Sequence, residues 1–154
     1  MTQHNLKTKQ TKLTKLTQHP QNPRNGDVDL IAESLSVNGQ YKPIVTTTDG
    51  TILAGNHTYQ AALSLGWETL TTVTLDLDPN GVEAKRVMLA DNRTSDVSTH
   101  MYDDALLTSL LEEMESGIGL AGSGYQTVSE EWIEPPKPDT APPPRVCDKC
   151  GNPI

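Results

Sequence analysis

The chain has 154 residues, few aromatic side chains, no Phe and a formal charge of −8. This length predicts one domain, with a core built from Leu, Ile, Val and Ala. The negative charge disfavours non-specific DNA binding, which depends on neutralising phosphates. The N-terminus lacks the apolar segment of a signal peptide and no apolar run reaches membrane-spanning length, so we expect a cytoplasmic protein with no membrane partner.

The first residues predict a basic, flexible tail over 1–11. Two interpretations stay open for the lysines within the first fifteen residues: they are solvated, or they form an arm that contacts DNA. Leu13 and Leu16 follow in a threonine-rich stretch that fits an edge strand, before a proline- and glycine-containing loop over 19–27. The lysines are Lys7, Lys9, Lys12 and Lys15.

The next segment predicts a helix followed by a β-hairpin. The helix starts at Asp27 or Val28 and ends before Asn38-Gly39, a typical C-terminal stop. Asp49-Gly50 is a strong hairpin turn because glycine accepts positive φ. The strands on either side of this turn are predicted at 43–47 and 51–54.

Beyond the hairpin the pattern predicts three more helices and one strand. The strand alternates apolar residues with Thr and Asp, and the last helix repeats leucines on one face. The order of elements predicts a small α+β domain with a mixed sheet and helices packed against it. These elements are helices over 56–65, 82–90 and 103–114, a strand over 71–78, Gly66 as a helix cap, and a leucine face of Leu106, Leu107, Leu110 and Leu111.

A polar stretch, Gly55-Asn56-His57-Thr58, lies where a buried strand ends and a helix begins. A helix N-terminus offers free N–H groups and a positive dipole end, so it can bind an anion. Gly55 permits close backbone approach, and Asn56 can cap the helix. His57 and Thr58 add donors suited to phosphate oxygens. The alternative is ordinary capping, with His57 and Thr58 merely exposed.

Several motifs follow one another at a characteristic spacing. Asn22-Pro23-Arg24 precedes the first helix, Ser34-Leu35 lies within it, Pro43-Ile44-Val45 opens the hairpin and residues 55–62 follow it. Together they resemble the N-terminal domain of the ParB/sulfiredoxin superfamily, often described as a ParB-like nuclease domain. The resemblance implies that superfamily's mixed-sheet fold and a nucleotide site.

The resemblance covers about 13–93 and therefore the whole predicted domain. No DNA-reading helix-turn-helix follows, only the leucine-rich helix ending at Met114. Short stand-alone domains of this kind resemble those of phages and mobile elements. The resemblance therefore implies a phage-type protein, active in the host cytoplasm and linked to phage DNA transactions.

The box at 55–62 departs from both branches of the superfamily. In partition ParB proteins it carries arginines that hold a nucleoside triphosphate, usually CTP, and here Asn56, His57, Thr58 and Gln60 replace that charged set. Loss of arginine should weaken triphosphate binding. In sulfiredoxins the position of Asn56 is a nucleophilic Cys, so sulfiredoxin activity is not expected. The nucleotide-binding residues implied are Arg24, Lys42, Gly55, Asn56, His57, Thr58, Tyr59 and Arg93.

The segment Asp91-Asn92-Arg93 resembles the acid and Asn that help ParB proteins hold Mg²⁺ near the phosphates. Carboxylate and amide oxygens are hard ligands that suit Mg²⁺. The alternative is that Asp91 and Asn92 end the third helix while Arg93 is solvated. Arg93 or Lys42 could supply charge missing from the box. For hydrolysis the candidate general bases are Asp91 and Glu33, then His57.

The chain ends in a C-x-x-C knuckle at 146–154, after a Gly/Pro-rich linker over 116–145; the domain itself is placed at 12–115. Cys147 and Cys150 could share one zinc ion, but structural zinc sites usually have four ligands and His19 and His100 are distant in sequence. A second chain, as in a homodimer, or another protein could complete the site. The remaining alternative is a reduced, unliganded knuckle.

These inferences favour a domain that binds CTP or ATP with Mg²⁺ and acts as a hydrolase or switch. One alternative is a ParB-like nuclease that uses Mg²⁺ at Asp91 and a water nucleophile. Another is a non-catalytic protein-interaction module with a degenerate nucleotide site. A small-molecule kinase, an activity that also exists in the superfamily, is a further possibility.

Overall fold

A mixed five-stranded sheet and four α-helices make up the ranges that the computed structural model describes, 6–97 and 103–126. This confirms the predicted α+β class. The strands are β1 (Thr8–Lys12), β2 (Thr17–Gln18), β3 (Ile44–Thr47), β4 (Thr51–Ala54) and β5 (Thr69–Leu75). The helices are α1 (Val28–Asn38), α2 (Asn56–Ser64), α3 (Val82–Val97) and α4 (Asp104–Gly117).

The sheet has the strand order β1-β5-β3-β4-β2. The β1–β5 and β3–β4 pairs are antiparallel, and the β3–β5 and β4–β2 pairs are parallel. The hairpin between β3 and β4 turns at Gly50 as predicted, with φ of 92°. A side chain at this position would also overlap the carbonyl oxygen of Lys15, so two independent constraints require glycine.

The predicted tail over 1–11 is wrong for residues 8 to 11, which belong to the edge strand β1. Gln10 Nε2 donates to Thr71 Oγ1 at 2.8 Å, and the hydroxyls of Thr11 and Thr72 lie 2.7 Å apart. Leu13 starts a short 3-10 turn instead of a strand, although its side chain is buried. The strand escaped prediction because its side chains are polar and form no apolar stripe; the backbone ladder to β5 and these side-chain hydrogen bonds hold it.

Helices cover both faces of the sheet. On one face α2 contributes Ala62 to a buried cluster, against which Tyr59 and Trp67 also pack. On the other face Leu53 and Leu75 pack with Ala84 of α3. The first cluster consists of Leu13, Leu16, Ile44, Ile52, Ala62 and Leu70.

Two helix ends follow the predicted chemistry, and α1 begins where it was predicted to begin. The Asp27 carboxylate accepts from the Leu30 amide at 3.0 Å and starts α1, and Gly39 ends it with φ of 68°. Gly66 ends α2, where its amide donates to the Leu63 carbonyl at 3.0 Å. The amide of Trp67 donates to the Ala62 carbonyl, also at 3.0 Å, which completes a Schellman motif.

The other two helices run further than predicted. Helix α3 continues to Val97 instead of ending at Ala90, so the interpretation that Asp91 and Asn92 end it is wrong. Helix α4 is capped by Asp103 and ends at Gly117, beyond the predicted end at Met114. Its leucine face is only partly packed, because Leu111 is buried whereas Leu106 and Leu110 are exposed. No helix within the described ranges is long and apolar enough to span a bilayer.

The segment after α4 packs on α1, so the predicted linker start at 116 is wrong. Leu120 is buried, and the Gly122 amide donates to Glu33 Oε1 at 3.0 Å. Asn38 Nδ2 donates to the Gly122 carbonyl at 3.0 Å. A side chain at Gly122 would approach Val37 Cβ to 2.7 Å, so this contact needs glycine. The rest of the predicted linker beyond 126, and the knuckle, lie outside the described residues.

Candidate functional site

A cleft of about 320 Å³ opens where β4 ends and α2 begins. The loop over 19–27 and the first turn of α1 form one wall, and α3 contributes to another. The tertiary structure therefore gathers motifs that are far apart in the chain. The predicted site residues that line the cleft are Arg24, Lys42, Gly55, Asn56, His57, Thr58, Asp91 and Asn92.

The N-terminus of α2 forms part of this cleft. Gly55, at φ 95° and ψ 26°, takes the N-cap position, and a side chain there would overlap Ile44. The first helical hydrogen bond runs from the Tyr59 amide to the Gly55 carbonyl, 3.0 Å. The amides of Asn56, His57 and Thr58 precede it, so no carbonyl within the helix accepts from them. They supply the N–H groups that the sequence predicts.

The predicted capping role of Asn56 is wrong. Its Oδ1 has no hydrogen-bond partner, and Gly55, in the left-handed conformation, takes the N-cap position. Asn56 is instead the first helical residue, and its side chain is buried in the lining of the cleft. The carboxamide of Asn56 is thus buried, and helix capping does not explain why a polar side chain occupies this position.

His57 packs against the loop that precedes α1. A side chain at Gly26 would lie 2.8 Å from Nδ1 of His57, so the imidazole rests directly on the glycine backbone. Both residues line the cleft. This close approach explains why the loop carries glycine immediately before the Asp27 cap, a feature that the sequence showed only as a turn.

Asn22 lines the cleft, although the sequence analysis named it only as part of a motif and not as a site residue. Its Oδ1 accepts from the Arg24 amide at 3.3 Å and from Asn92 Nδ2 at 3.1 Å. The first bond is the local turn that Asn commonly makes with the backbone two residues on, so the Asn-Pro-Arg motif could have revealed it. The second joins the loop to α3, and no sequence pattern could have revealed that pairing.

Three predicted site residues do not line the cleft. Glu33 accepts from the Gly122 amide, away from α2. Tyr59 packs against the core, with its hydroxyl 3.5 Å from the Leu16 carbonyl. Arg93 is exposed on α3 and is absent from the lining. These residues are therefore not placed to touch a group bound at the amides of α2.

The cleft combines donors with carboxylates. Arg24 and Lys42 supply positive charge, and Asp91 is a carboxylate whose neighbour Asn92 uses its Nδ2 on Asn22. That bond does not use the amide oxygen of Asn92. Mg²⁺ keeps several waters and binds through one or two protein oxygens plus phosphates, so Asp91 and Asn92 fit it. The second lining carboxylate, Asp27, already caps α1.

A zinc site of three or more ligands is not present among the described residues. His19 is buried with both ring nitrogens occupied: Nε2 donates to the Pro79 carbonyl at 3.0 Å, and Nδ1 accepts from the Gln21 amide at 3.1 Å. It is therefore a structural residue and does not serve the predicted knuckle. Cys147, Cys150 and His100 lie outside the described residues.

Solved structures of ParB N-terminal domains share this fold. A C-terminally truncated chromosome-partitioning protein ParB from Caulobacter crescentus, complexed with CTP-γ-S, superposes with a TM-score of 0.59 at 18% identity, over 71% of this chain and 63% of that chain. A Pnob8-like ParB-N domain in a C2221 form gives 0.54 at 16% identity, over 75% of this chain and 47% of the other. A pNOB8-like ParB N-domain gives 0.52 at 16%, over 75% and 44%.

The predicted resemblance to ParB is thus confirmed for the fold: this chain has the fold of a ParB N-terminal domain. The matches span between 44% and 63% of the length of those chains. No protein-family model matches the sequence, and no curated protein matches it significantly.

Proposed function

We infer that this ParB-like domain binds a nucleoside triphosphate, CTP or ATP, with its phosphates at the N-terminus of α2. The observation that carries the proposal is the juxtaposition of three helix amides with Arg24, Lys42 and Thr58 in one cleft. Helix N-termini favour anions through free N–H groups and the helix dipole. The structural relative complexed with CTP-γ-S adds support, because it shares the fold.

Each lining residue has a distinct role in this proposal. Arg24 and Lys42 neutralise phosphate charge, and the Thr58 hydroxyl and His57 imidazole add hydrogen bonds. Asn22 holds the backbone of Arg24 through its Oδ1, so the cation is presented by a constrained loop. Because fewer arginines are present than in partition proteins, we expect weaker triphosphate binding.

A divalent cation fits the other side of the cleft. Mg²⁺, when bound, would neutralise phosphate charge and orient the phosphate chain. Asp91 would hold it through its carboxylate and Asn92 through its amide oxygen. If the nucleotide is hydrolysed, Asp91 and His57 are the candidate bases, since both line the cleft whereas Glu33 does not.

Calorimetry with each of the four ribonucleoside triphosphates, with and without Mg²⁺, tests the proposal. We expect Arg24→Ala and Thr58→Ala each to weaken binding by about tenfold, the scale of one charged or strong hydrogen bond. Arg93→Ala is the matched control, because it removes the same charge outside the cleft and should leave affinity unchanged. Absence of binding by all four nucleotides, or equal losses for Arg24→Ala and Arg93→Ala, would contradict the proposal.

Asp91→Ala separates the possible activities. The proposed role in phage DNA transactions, which rests on the resemblance, is compatible with either phosphate hydrolysis or DNA cleavage. Release of phosphate from the bound nucleotide that Asp91→Ala abolishes indicates a hydrolase. Release of nucleotides from single-stranded or plasmid DNA that the same variant abolishes indicates a nuclease. Nucleotide binding without either activity indicates a switch.

A further inference from the structure

The carboxamide oxygen of Asn56 is buried without a hydrogen-bond partner. The residue is 6% exposed, and Oδ1 has no partner within the protein. Among the described residues the other side-chain atom in this state is Thr74 Oγ1. Buried polar groups are nearly always hydrogen-bonded, so each exception calls for a specific cause.

Leaving a buried acceptor unpaired costs stability, whereas an apolar side chain of the same shape at such a site is neutral or stabilising. Asn56 is thus a poor choice for packing alone. It is also not the helix cap, because Gly55 takes that position. It does line the cleft, which Thr74 does not. Asn56 therefore lies in the wall of the cleft, with its Oδ1 closed off from the space that a ligand would occupy.

The cleft that Asn56 lines also holds several donors. The amides at the start of α2, the Lys42 ammonium and the Thr58 hydroxyl can each donate to phosphate oxygens. An ionised phosphate has only acceptors, so it cannot pair with Oδ1. A hydroxyl group on the same ligand can donate to Oδ1 while the phosphate occupies the amides. The donors of the cleft and the unpaired Oδ1 of Asn56 are therefore together complementary to a phosphorylated alcohol.

We propose that Asn56 Oδ1 accepts a hydrogen bond from a hydroxyl of the bound ligand, which makes Asn56 a specificity residue for phosphorylated hydroxyl compounds over bare polyphosphate. Because Oδ1 is closed off without ligand, this contact requires the Asn56 side chain to rotate into the cleft on binding. The inference rests on the proposed function in placing the phosphates at α2. A ribonucleotide and a smaller sugar phosphate share the required chemistry.

The first measurement needs no ligand. Asn56→Leu replaces the carboxamide by an apolar group of similar size, so the melting temperature should stay constant or rise. Thr74→Val is the matched control, because it removes the other unpaired buried oxygen away from the cleft and should behave alike. A melting temperature clearly lowered by Asn56→Leu but not by Thr74→Val would assign Asn56 a structural role and overturn the inference.

The second measurement compares ligands on the wild type and both variants. CTP and ATP are each compared with inorganic triphosphate, and ribose 5-phosphate is compared with inorganic phosphate. The inorganic anions carry no alcohol group. We expect the wild type to bind the hydroxyl compound of each pair more tightly than the inorganic anion. Asn56→Leu should reduce this affinity ratio by about tenfold, and Thr74→Val should leave it unchanged. The 2′-deoxy nucleotides then show whether the ribose 2′-hydroxyl is the donor.

The outcomes separate this inference from the proposed function. If nucleotides bind but Asn56→Leu keeps the wild-type preference, the inference is wrong and nucleotide binding stands. If ribose 5-phosphate alone binds and Asn56→Leu abolishes its preference over phosphate, nucleotide binding is wrong and the inference stands. If none of the probes binds the wild type, both are overturned.

Discussion

Asn22 and Asn92 are 70 positions apart in the chain, yet Nδ2 of Asn92 donates to Oδ1 of Asn22 at 3.1 Å. The bond connects the loop before α1 to the middle of α3, and both residues line the cleft. Because the same oxygen accepts from the Arg24 amide at 3.3 Å, it also holds the backbone of a predicted phosphate ligand. One carboxamide thus couples two walls of the site.

The first prediction concerns this coupling. Asn22→Ala and Asn92→Ala should each lower the free energy of unfolding by about 1 kcal/mol, a typical value for one hydrogen bond. The double variant should lose less than the sum, because the two side chains share that bond. Urea unfolding of all four proteins measures the coupling. Asn80→Ala serves as the exposed control, and strictly additive losses for Asn22 and Asn92 would show that the pair is not coupled.

The second prediction concerns the contact of His57 with Gly26. Gly26→Ala places a methyl group 2.8 Å from Nδ1 of His57 and must displace the imidazole or the loop. We expect a loss of about 1–3 kcal/mol of stability, as for other overpacked sites, and a shifted His57 ring resonance in NMR spectra. Gly117→Ala is the control, since a side chain there meets nothing within 4 Å. An unshifted His57 resonance in Gly26→Ala would refute the contact.

The third prediction concerns pH. The pKa of Asp49 lies below its ordinary range because the Thr47 hydroxyl donates to the carboxylate, as does the Thr51 amide. A lowered folded-state pKa adds stability above the unfolded-state value, and this is lost as pH falls through the folded-state value. Asp49 is exposed, so we expect less than about 1 kcal/mol.

Chemical denaturation from neutral pH to about pH 3 tests this expectation against Asp49→Asn. The wild type should be the more stable protein at neutral pH, and the difference should shrink below about pH 4, where the carboxyl becomes protonated. Asp76→Asn, at an exposed carboxyl after β5, controls for overall charge. A difference between wild type and Asp49→Asn that stays constant over the whole range would contradict the assignment.

The fourth prediction concerns DNA. Lys9 of β1 and Lys15 of the following turn line one polar groove with the hairpin over 46–50. If this face contacts duplex DNA, each lysine that neutralises a phosphate contributes about 0.9 to the slope of log affinity against log salt concentration. The double variant Lys9→Ala and Lys15→Ala should therefore reduce the magnitude of this slope by about 2. The paired change Lys85→Ala and Arg86→Ala on α3 removes equal charge elsewhere. Equal slopes for the two paired variants would exclude a local DNA surface at β1.

Much of the fold could be predicted from interactions between residues that are close together in the chain. The Gly50 turn and the Gly39 and Gly66 helix ends were predicted correctly, because each depends on a residue and its near neighbours in the chain. Helix α3 was predicted too short, since Asn92 and Thr94 are weak helix formers. Two hydrogen bonds occur in the part of α3 beyond the predicted end. Asn92 Nδ2 donates to Asn22 Oδ1, and the Thr94 hydroxyl donates to the Ala90 carbonyl at 2.9 Å.

The sequence by itself determined the class of fold, the position of the hairpin and the place where the amides of α2 begin, because apolar periodicity and glycine conformations are local properties. Only the tertiary structure decided which polar residues share the cleft. It brought in Asn22, left out Glu33 and Tyr59, and buried the oxygen of Asn56 without a partner. These outcomes depend on hydrogen bonds and packing between residues far apart in the chain, which no local pattern encodes.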